Sequence, residues 1–165
     1  EMVKEIDAFC GKTKSSPTYE DAKAMKYTQA VVKEALRLWP SVPKDVKQAV
    51  EEDTLPDGTR VPAGAFVVYV PFAMGRDKSI WGADATEFKP ERFVKEPNPD
   101  SFKYPVFNAG PRLCLGKPMA ITESTVALAT IYRRFSLELA PHQEIVPLNS
   151  LTMPQEKGVK VRVLE

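Results

Sequence analysis

One short stretch concentrates the chemistry of this sequence. Residues 107–117 read FNAGPRLCLGK and hold Cys114, one of two cysteines in 165 residues. Gly110, Pro111 and Arg112 crowd in before the sulfur, and Gly116 follows two places after it. A thiolate is a nucleophile and a metal ligand, so several chemistries compete. A zinc site needs about four ligands, whereas the sequence offers only Cys10, Cys114 and a single histidine, His142, far apart in the chain. A thiol nucleophile usually needs a general base, and His142 would have to return to Cys114 in space. A free thiol buried in the core is common and needs no chemical role. Counting alone also leaves a Cys10–Cys114 disulfide open.

The neighbours of Cys114 argue for more than packing. Pro118 opens a helical pattern, which places Cys114 just upstream of a helix N-terminus. Backbone N–H groups and the positive helix end favour a thiolate there. Gly110 and Gly116 permit backbone geometry and close approach denied to other residues. Pro111 stiffens the approach, Phe107 offers an aromatic surface, and Arg112 is placed to meet an anion near the sulfur. A lone thiolate ligand, a carboxylate-seeking arginine and glycines for the approach of a flat group together describe a haem cradle. In that reading the sulfur binds iron from below and Arg112 meets a propionate.

The elements that must position this loop are legible in outline. EMVKEIDAFCG spaces Met2, Ile6 and Phe9 three and four apart, a short amphipathic helix stopped by Gly11. SPTYED offers a helix start, with Ser16 as the cap and Pro17 in the first turn. The strongest helix is AKAMKYTQAVVKEALRLW, apolar through Met25, Val32, Leu36 and Trp39 and through Tyr27, Val31, Ala35 and Leu38. Pro40 ends it and Pro43 prevents resumption. Short strands are expected from Val42 to Pro71, with Asp57-Gly58 marking a hairpin between Leu55 and Val61. AFVVYV is a β-rich run; SIWGADATEFKPERF is irregular with one or two helical turns; VKEPNPDSFKY is a proline-broken loop. A last helix runs from about Pro118 to Arg134, with Ala120, Ser124, Ala127 and Ile131 as its small or apolar stripe beside Ile121 and Leu128. SLELAP and GVKVRVL alternate as strands. The fold class is α+β.

Composition bounds the rest. The length suits one modest domain, and 43% apolar residues permit a core. Lysine and arginine total 23 against 22 acidic residues, which leaves no basic footprint for nucleic acid. No apolar run reaches membrane-spanning length, and the opening residues lack the order of a signal peptide. Residue 1 is glutamate inside an apparent helix, as expected of a segment of something longer.

FNAGPRLCLGK resembles the haem-binding signature of the cytochrome P450 family, Phe-x-x-Gly-x-Arg-x-Cys-x-Gly, matched by Phe107, Gly110, Arg112, Cys114 and Gly116. KEALRLWP carries the family's Glu-x-x-Arg pair as Glu34 and Arg37, and FKPERF supplies Arg92, the third member of its Glu-Arg-Arg triad. Residues 1–165 lie along the C-terminal part of that single domain, from the end of helix J through helices K and L, the small sheets, the meander and the haem loop. The complete fold is mainly α. Glu34 and Arg37 share a helix face. If buried they need partners, and Arg92 would close the network and pin its loop to the helix.

The resemblance implies a haem-thiolate monooxygenase inserting one oxygen atom of O2 into a hydrophobic substrate. It implies haem b as cofactor, Cys114 as the iron ligand, and electrons from NADPH through NADPH-cytochrome P450 reductase or an equivalent donor. Leu115 and Gly116 would leave backbone N–H groups free to bond the sulfur, and Lys117 is a candidate for meeting an acidic reductase. Val42, Pro43, Val46, Leu151 and Thr152 are candidates to face substrate, and Lys44 or Lys47 to approach a propionate. The wording GR-D-x-x-x-WG and Asn-Ala-Gly-Pro-Arg is similar to eukaryotic hydroxylases of long-chain fatty acids and alkanes. Sterols, terpenoids and xenobiotics are the alternative substrates, and a truncated, non-catalytic haem-binding fragment is the alternative class. The distal oxygen-activating helix and an N-terminal anchor to the endoplasmic reticulum membrane are expected outside these residues. The segment alone is expected to be inactive.

Overall fold

The computed structural model describes residues 1–11, 16–148 and 150–164. Helix α1 (Met2–Cys10) buries Ile6 and Cys10, with Met2 and Phe9 partly covered, so the expected spacing holds. Helix α2 (Tyr19–Ala24) starts at Thr18 rather than Ser16. Thr18 Oγ1 accepts from the Asp21 N–H, and the Asp21 carboxylate accepts from the Thr18 N–H, a reciprocal capping box that Ser16 cannot complete.

The long helix expected over 22–39 is broken. Met25 leaves helical geometry with ψ 80°, and α3 (Lys26–Leu38) begins after it. The break is stabilised from outside. Glu5 on α1 accepts from the N–H groups of Tyr27 and Thr28 at 2.8 and 2.7 Å and from the Thr28 hydroxyl at 2.7 Å. A carboxylate from another helix thus caps α3, satisfying N–H groups that a continuous helix would have paired internally.

The remaining chain is a run of short pieces. Strand β1 (Asp45–Gln48) pairs antiparallel with β4 (Phe66–Tyr69), Asp45 standing opposite Tyr69. Between them β2 (Asp53–Thr54) and β3 (Arg60–Val61) form the hairpin closed by Asp57-Gly58. Helices α4 (Pro71–Met74), α5 (Lys78–Trp81) and α6 (Glu91–Lys95) follow, then 3-10 turns at Pro105–Phe107 and Gly110–Arg112. Helix α7 (Lys117–Tyr132) leads to β5 (Ser136–Leu139), which pairs antiparallel with β6 (Val161–Leu164).

Helix α3 is the hub, touching α1, α6 and α7. One core cluster, Ile6, Cys10, Met25 and Ala129, joins α1 and α7. The other, Ala30, Trp81, Ala85, Phe93 and Tyr104, fixes the irregular 80–104 segment to α3 through three aromatic rings with centroids 5.0–6.1 Å apart. The stripe expected on α7 is displaced: Ile121, Thr125 and Ala129 are buried, whereas Ile131 is exposed. Polar residues such as Thr122, Glu123, Ser124 and Thr130 are spread round this helix rather than gathered on one face, so periodicity could not choose its buried side. The Thr125 hydroxyl donates to the Ile121 carbonyl at 2.7 Å, which lets it be buried.

Candidate haem-thiolate site

The cysteine loop hangs between the second 3-10 turn and α7. The Cys114 N–H donates to the Phe107 carbonyl at 2.8 Å and the Leu113 N–H to Gly110 at 3.1 Å, closing the loop on itself. Gly110 has φ 63°, a left-handed conformation that suits glycine. Asn108 also has φ 66°, unusual for a residue with a side chain. Lys117 opens α7 three residues after the sulfur, and its ammonium lies 5.9 Å from the centre of the Phe107 ring. Cys114 is exposed and Cys10 buried, and no disulfide joins them, so neither the buried-thiol reading of Cys114 nor a disulfide stands. His142 is exposed in the turn after β5 and takes no part in the cleft around Cys114.

That cleft, about 390 Å³, collects residues from four segments. Cys114, Arg112 and Phe107 share it with Val42, Val106 and Ala120, and Asp45 and Tyr69 reach it from the β1–β4 sheet. Its lining is mostly apolar. Among the described residues no carboxylate pairs with Arg112. Nor does any backbone carbonyl among them accept from the N–H groups of Leu115 and Gly116. A Cβ on Gly116 would stand 3.8 Å from the sulfur, so glycine leaves that flank of the sulfur open.

Behind the loop lies a buried ionic brace. Glu34 and Arg37 on α3 are wholly buried and bidentate, Nε to Oε2 and Nη2 to Oε1 each 2.7 Å. The remaining guanidinium protons reach the carbonyls of Gly75, Ala85 (2.6 Å) and Glu87 (2.9 Å), and Glu34 accepts from the Lys89 N–H at 2.7 Å. Arg37 also lies 5.2 Å from the centre of the Trp81 ring. Arg92 joins more loosely, its Nε 3.6 Å from Glu34. Its closest acid is Asp84 at 2.7 Å, and it donates to the carbonyls of Trp81 and Asp84. A buried ion pair stabilises only when such additional bonds compensate its desolvation, and here the irregular 75–92 segment supplies them.

The family model for cytochrome P450 matches residues 1–162. The chain belongs to the cytochrome P450 family. It is 41% identical over 148 residues to cytochrome P450 704B1 of Arabidopsis thaliana, covering 88% of this chain and 28% of that protein. It is 42% identical over 156 residues to cytochrome P450 94A1 of Vicia sativa, covering 88% and 30%. A shorter cytochrome P450 of Helianthus annuus is 40% identical over 146 residues, covering 87% and 94%. The chain thus spans under a third of the first two relatives.

P450 membership implies haem, and the residues present fit it. An exposed thiol, an arginine and an aromatic ring share one apolar cleft, and among the described residues that arginine meets no carboxylate and the donors beside the sulfur meet no backbone carbonyl. Among the described residues no group of three or more His, Cys, Asp or Glu is placed to hold a bare metal ion. The substrate-facing candidates are scattered. Val42 lines the cleft; Pro43 and Lys44 line a separate one with Phe72, Leu148 and Met153; Val46 is exposed on β1. Leu151 and Thr152 are exposed, in a turn tied to the α3–β1 connection by the Met153 N–H and the Ser41 carbonyl at 2.8 Å. Asn149 lies outside the described residues.

Several residues in and beside the cleft escaped sequence reasoning. Asp45 Oδ2 lies 2.6 Å from the Tyr69 hydroxyl, accepts from Asn108 Nδ2 at 3.0 Å and pairs with Lys47 at 2.8 Å. These bonds, Lys47 first and Tyr69 next, hold the Asp45 carboxyl at about 2. Burial, then Asp45, pushes the Tyr69 phenol up to about 12. Their separation in sequence hid the cluster. Likewise GRD is structural: Gly75 touches Arg37, Arg76 sits over the Trp39 and Phe72 rings, and Asp77 caps α5.

Proposed function

We propose that this chain is the C-terminal part of a single haem-thiolate monooxygenase domain that inserts one oxygen atom of O2 into a hydrophobic substrate. The observation that carries the reading is the sharing of one apolar cleft by the exposed Cys114 thiol, Phe107 and Arg112. Cys114 is the ligand to haem b, and Arg112 holds a propionate. Phe107 shields the sulfur side, and Gly110 gives the loop its turn. Gly116 leaves space at the sulfur, where the N–H groups of Leu115 and Gly116 moderate the thiolate's donation. Haem bound here supplies the activation of O2, a thiolate ligand favouring O–O cleavage. Glu34, Arg37 and Arg92 hold the segment that leads to the cradle and do no chemistry.

Of the five substrate-facing candidates Val42 lines the cleft with Cys114, and its apolar company suits an oily molecule. A long-chain fatty acid or alkane is the proposed substrate, supported by the wording around Gly75, Trp81 and Cys114. Electrons come from NADPH through a reductase, and the enzyme is held at the endoplasmic reticulum membrane. No helix among the described residues is long and apolar enough to cross a membrane. The test uses the full-length protein, reduced under carbon monoxide. The wild type is expected to show the red-shifted Soret band of thiolate-ligated ferrous haem, and Cys114→Ser to abolish it. Survival of that band in Cys114→Ser would overturn the ligand assignment.

A further inference from the structure

We propose that Asp45 and Tyr69 are positioning residues for the cysteine loop: from the β1–β4 sheet they hold Asn108 in its positive-φ conformation (φ 66°, ψ −179°) and so fix where Phe107 and Cys114 stand in the cleft. The inference rests on the haem-thiolate reading for its consequence, though not for its geometry.

Asn108 is the residue next to Phe107, whose carbonyl accepts the Cys114 N–H at 2.8 Å. A rotation at Asn108 therefore moves the group to which the cysteine backbone is tied. Its φ of 66° is disfavoured for a residue with a side chain, so something must hold it. The side chain is bonded at both ends. Asn108 Nδ2 donates to Asp45 Oδ2 at 3.0 Å. Asn108 Oδ1 accepts from its neighbour Ala109 N–H at 3.0 Å and lies 2.7 Å from the Tyr69 hydroxyl. That hydroxyl has one proton to share between Asn108 and Asp45. Asp45 and Tyr69 face each other across the sheet in register, so the two strands present them as a unit. Lys47 completes the charge balance at 2.8 Å from Asp45 and stands 5.8 Å from the centre of the Tyr69 ring. Asp45, Tyr69 and Asn108 line the same cleft as Cys114. The link spans 63 residues of sequence, from strand to loop.

The test is a double-mutant cycle in the full-length protein, read in two ways. One readout is the fraction of reduced, carbon monoxide-bound haem lacking the red-shifted band; the other is amide hydrogen exchange of residues 107–114. Asn108→Gly keeps φ near 66° accessible but removes the side-chain link; Asp45→Ala removes its partner. Each single change is expected to raise both readouts roughly three- to tenfold, the effect of one or two lost hydrogen bonds on a local equilibrium. The double variant is expected to exceed neither single variant, because both cut one link. Tyr69→Phe shifts both readouts in the same direction, and Asp45→Asn, which keeps an acceptor oxygen, restores part of the loss. A purely structural role would lower thermal stability in all variants yet leave band position and loop exchange at wild-type values. That result, or effects that multiply in the double variant, would overturn the proposal. If wild type showed no red-shifted band, the haem reading would fail while loop exchange still tested the link.

Discussion

Gly75 is the residue at which a single methyl group should cost most. Its φ is −64°, available to any residue, so backbone freedom does not explain it. A Cβ there would overlap the carbonyl oxygen of Arg37 and lie 3.1 Å from its carbonyl carbon and 3.2 Å from the Pro71 oxygen. All three are backbone atoms and cannot swing aside. Relieving the overlap must move the 71–76 segment off α3, for about 1–3 kcal/mol of overpacking. The same movement stretches the bond from the fully buried Arg37 guanidinium to the Gly75 carbonyl, about 1.5–3 kcal/mol for a charge-assisted bond. Gly75→Ala is therefore expected to destabilise by about 2.5–6 kcal/mol in all. Gly58→Ala is the control: φ is 86° there, but nothing lies within 4 Å, so its cost is conformational and about 1 kcal/mol. The assay is urea unfolding of both full-length variants followed by far-UV circular dichroism. A Gly75→Ala midpoint no lower than that of Gly58→Ala would refute the close-approach argument.

Two further outcomes follow from the structure. Glu5→Ala should destabilise by about 1–2 kcal/mol, the range for a lost helix cap, since it strips three hydrogen bonds from the start of α3; an unchanged melting temperature would show that the cap contributes nothing. Asp45 and Asp84 are both held at about 2, below their ordinary 3.8, Asp45 chiefly by Lys47 and Asp84 by Lys89, then Arg92. Because the folded values are lowered, the unfolded chain binds more protons in acid, so their stabilisation is complete above about pH 4 and is lost as pH falls through about 2. Unfolding measured from about pH 5 downward should show a shallower loss in the Asp45→Asn, Asp84→Asn double variant, and an unchanged slope would count against these pairs.

How much the sequence determined depends on how local each feature was. The Asp57-Gly58 hairpin, the ending of α3 near Pro40, the strands β5 and β6 and the start of α7 follow from turn chemistry and short-range pattern. The family followed from the types and spacing of Glu34, Arg37, Arg92 and Cys114, with the glycines and Arg112 around the sulfur. Tertiary structure decided the rest, because the deciding partners are distant in the chain. The break at Met25 depends on a carboxylate 22 residues before Tyr27. The buried face of α7 depends on what packs there, since its polar residues are spread round it. Arg92 takes Asp84 as its closer acid. The fully buried Arg37 gives its spare protons to carbonyls of the 75–87 segment, because a buried donor without an acceptor is costly. The sequence by itself singled out Cys114 for the proposed role and paired Glu34 with Arg37 on one helix face. Only the folded chain decided that Asp45 and Tyr69 reach Asn108, because hydrogen bonds act over about 3 Å in space whatever the separation along the chain.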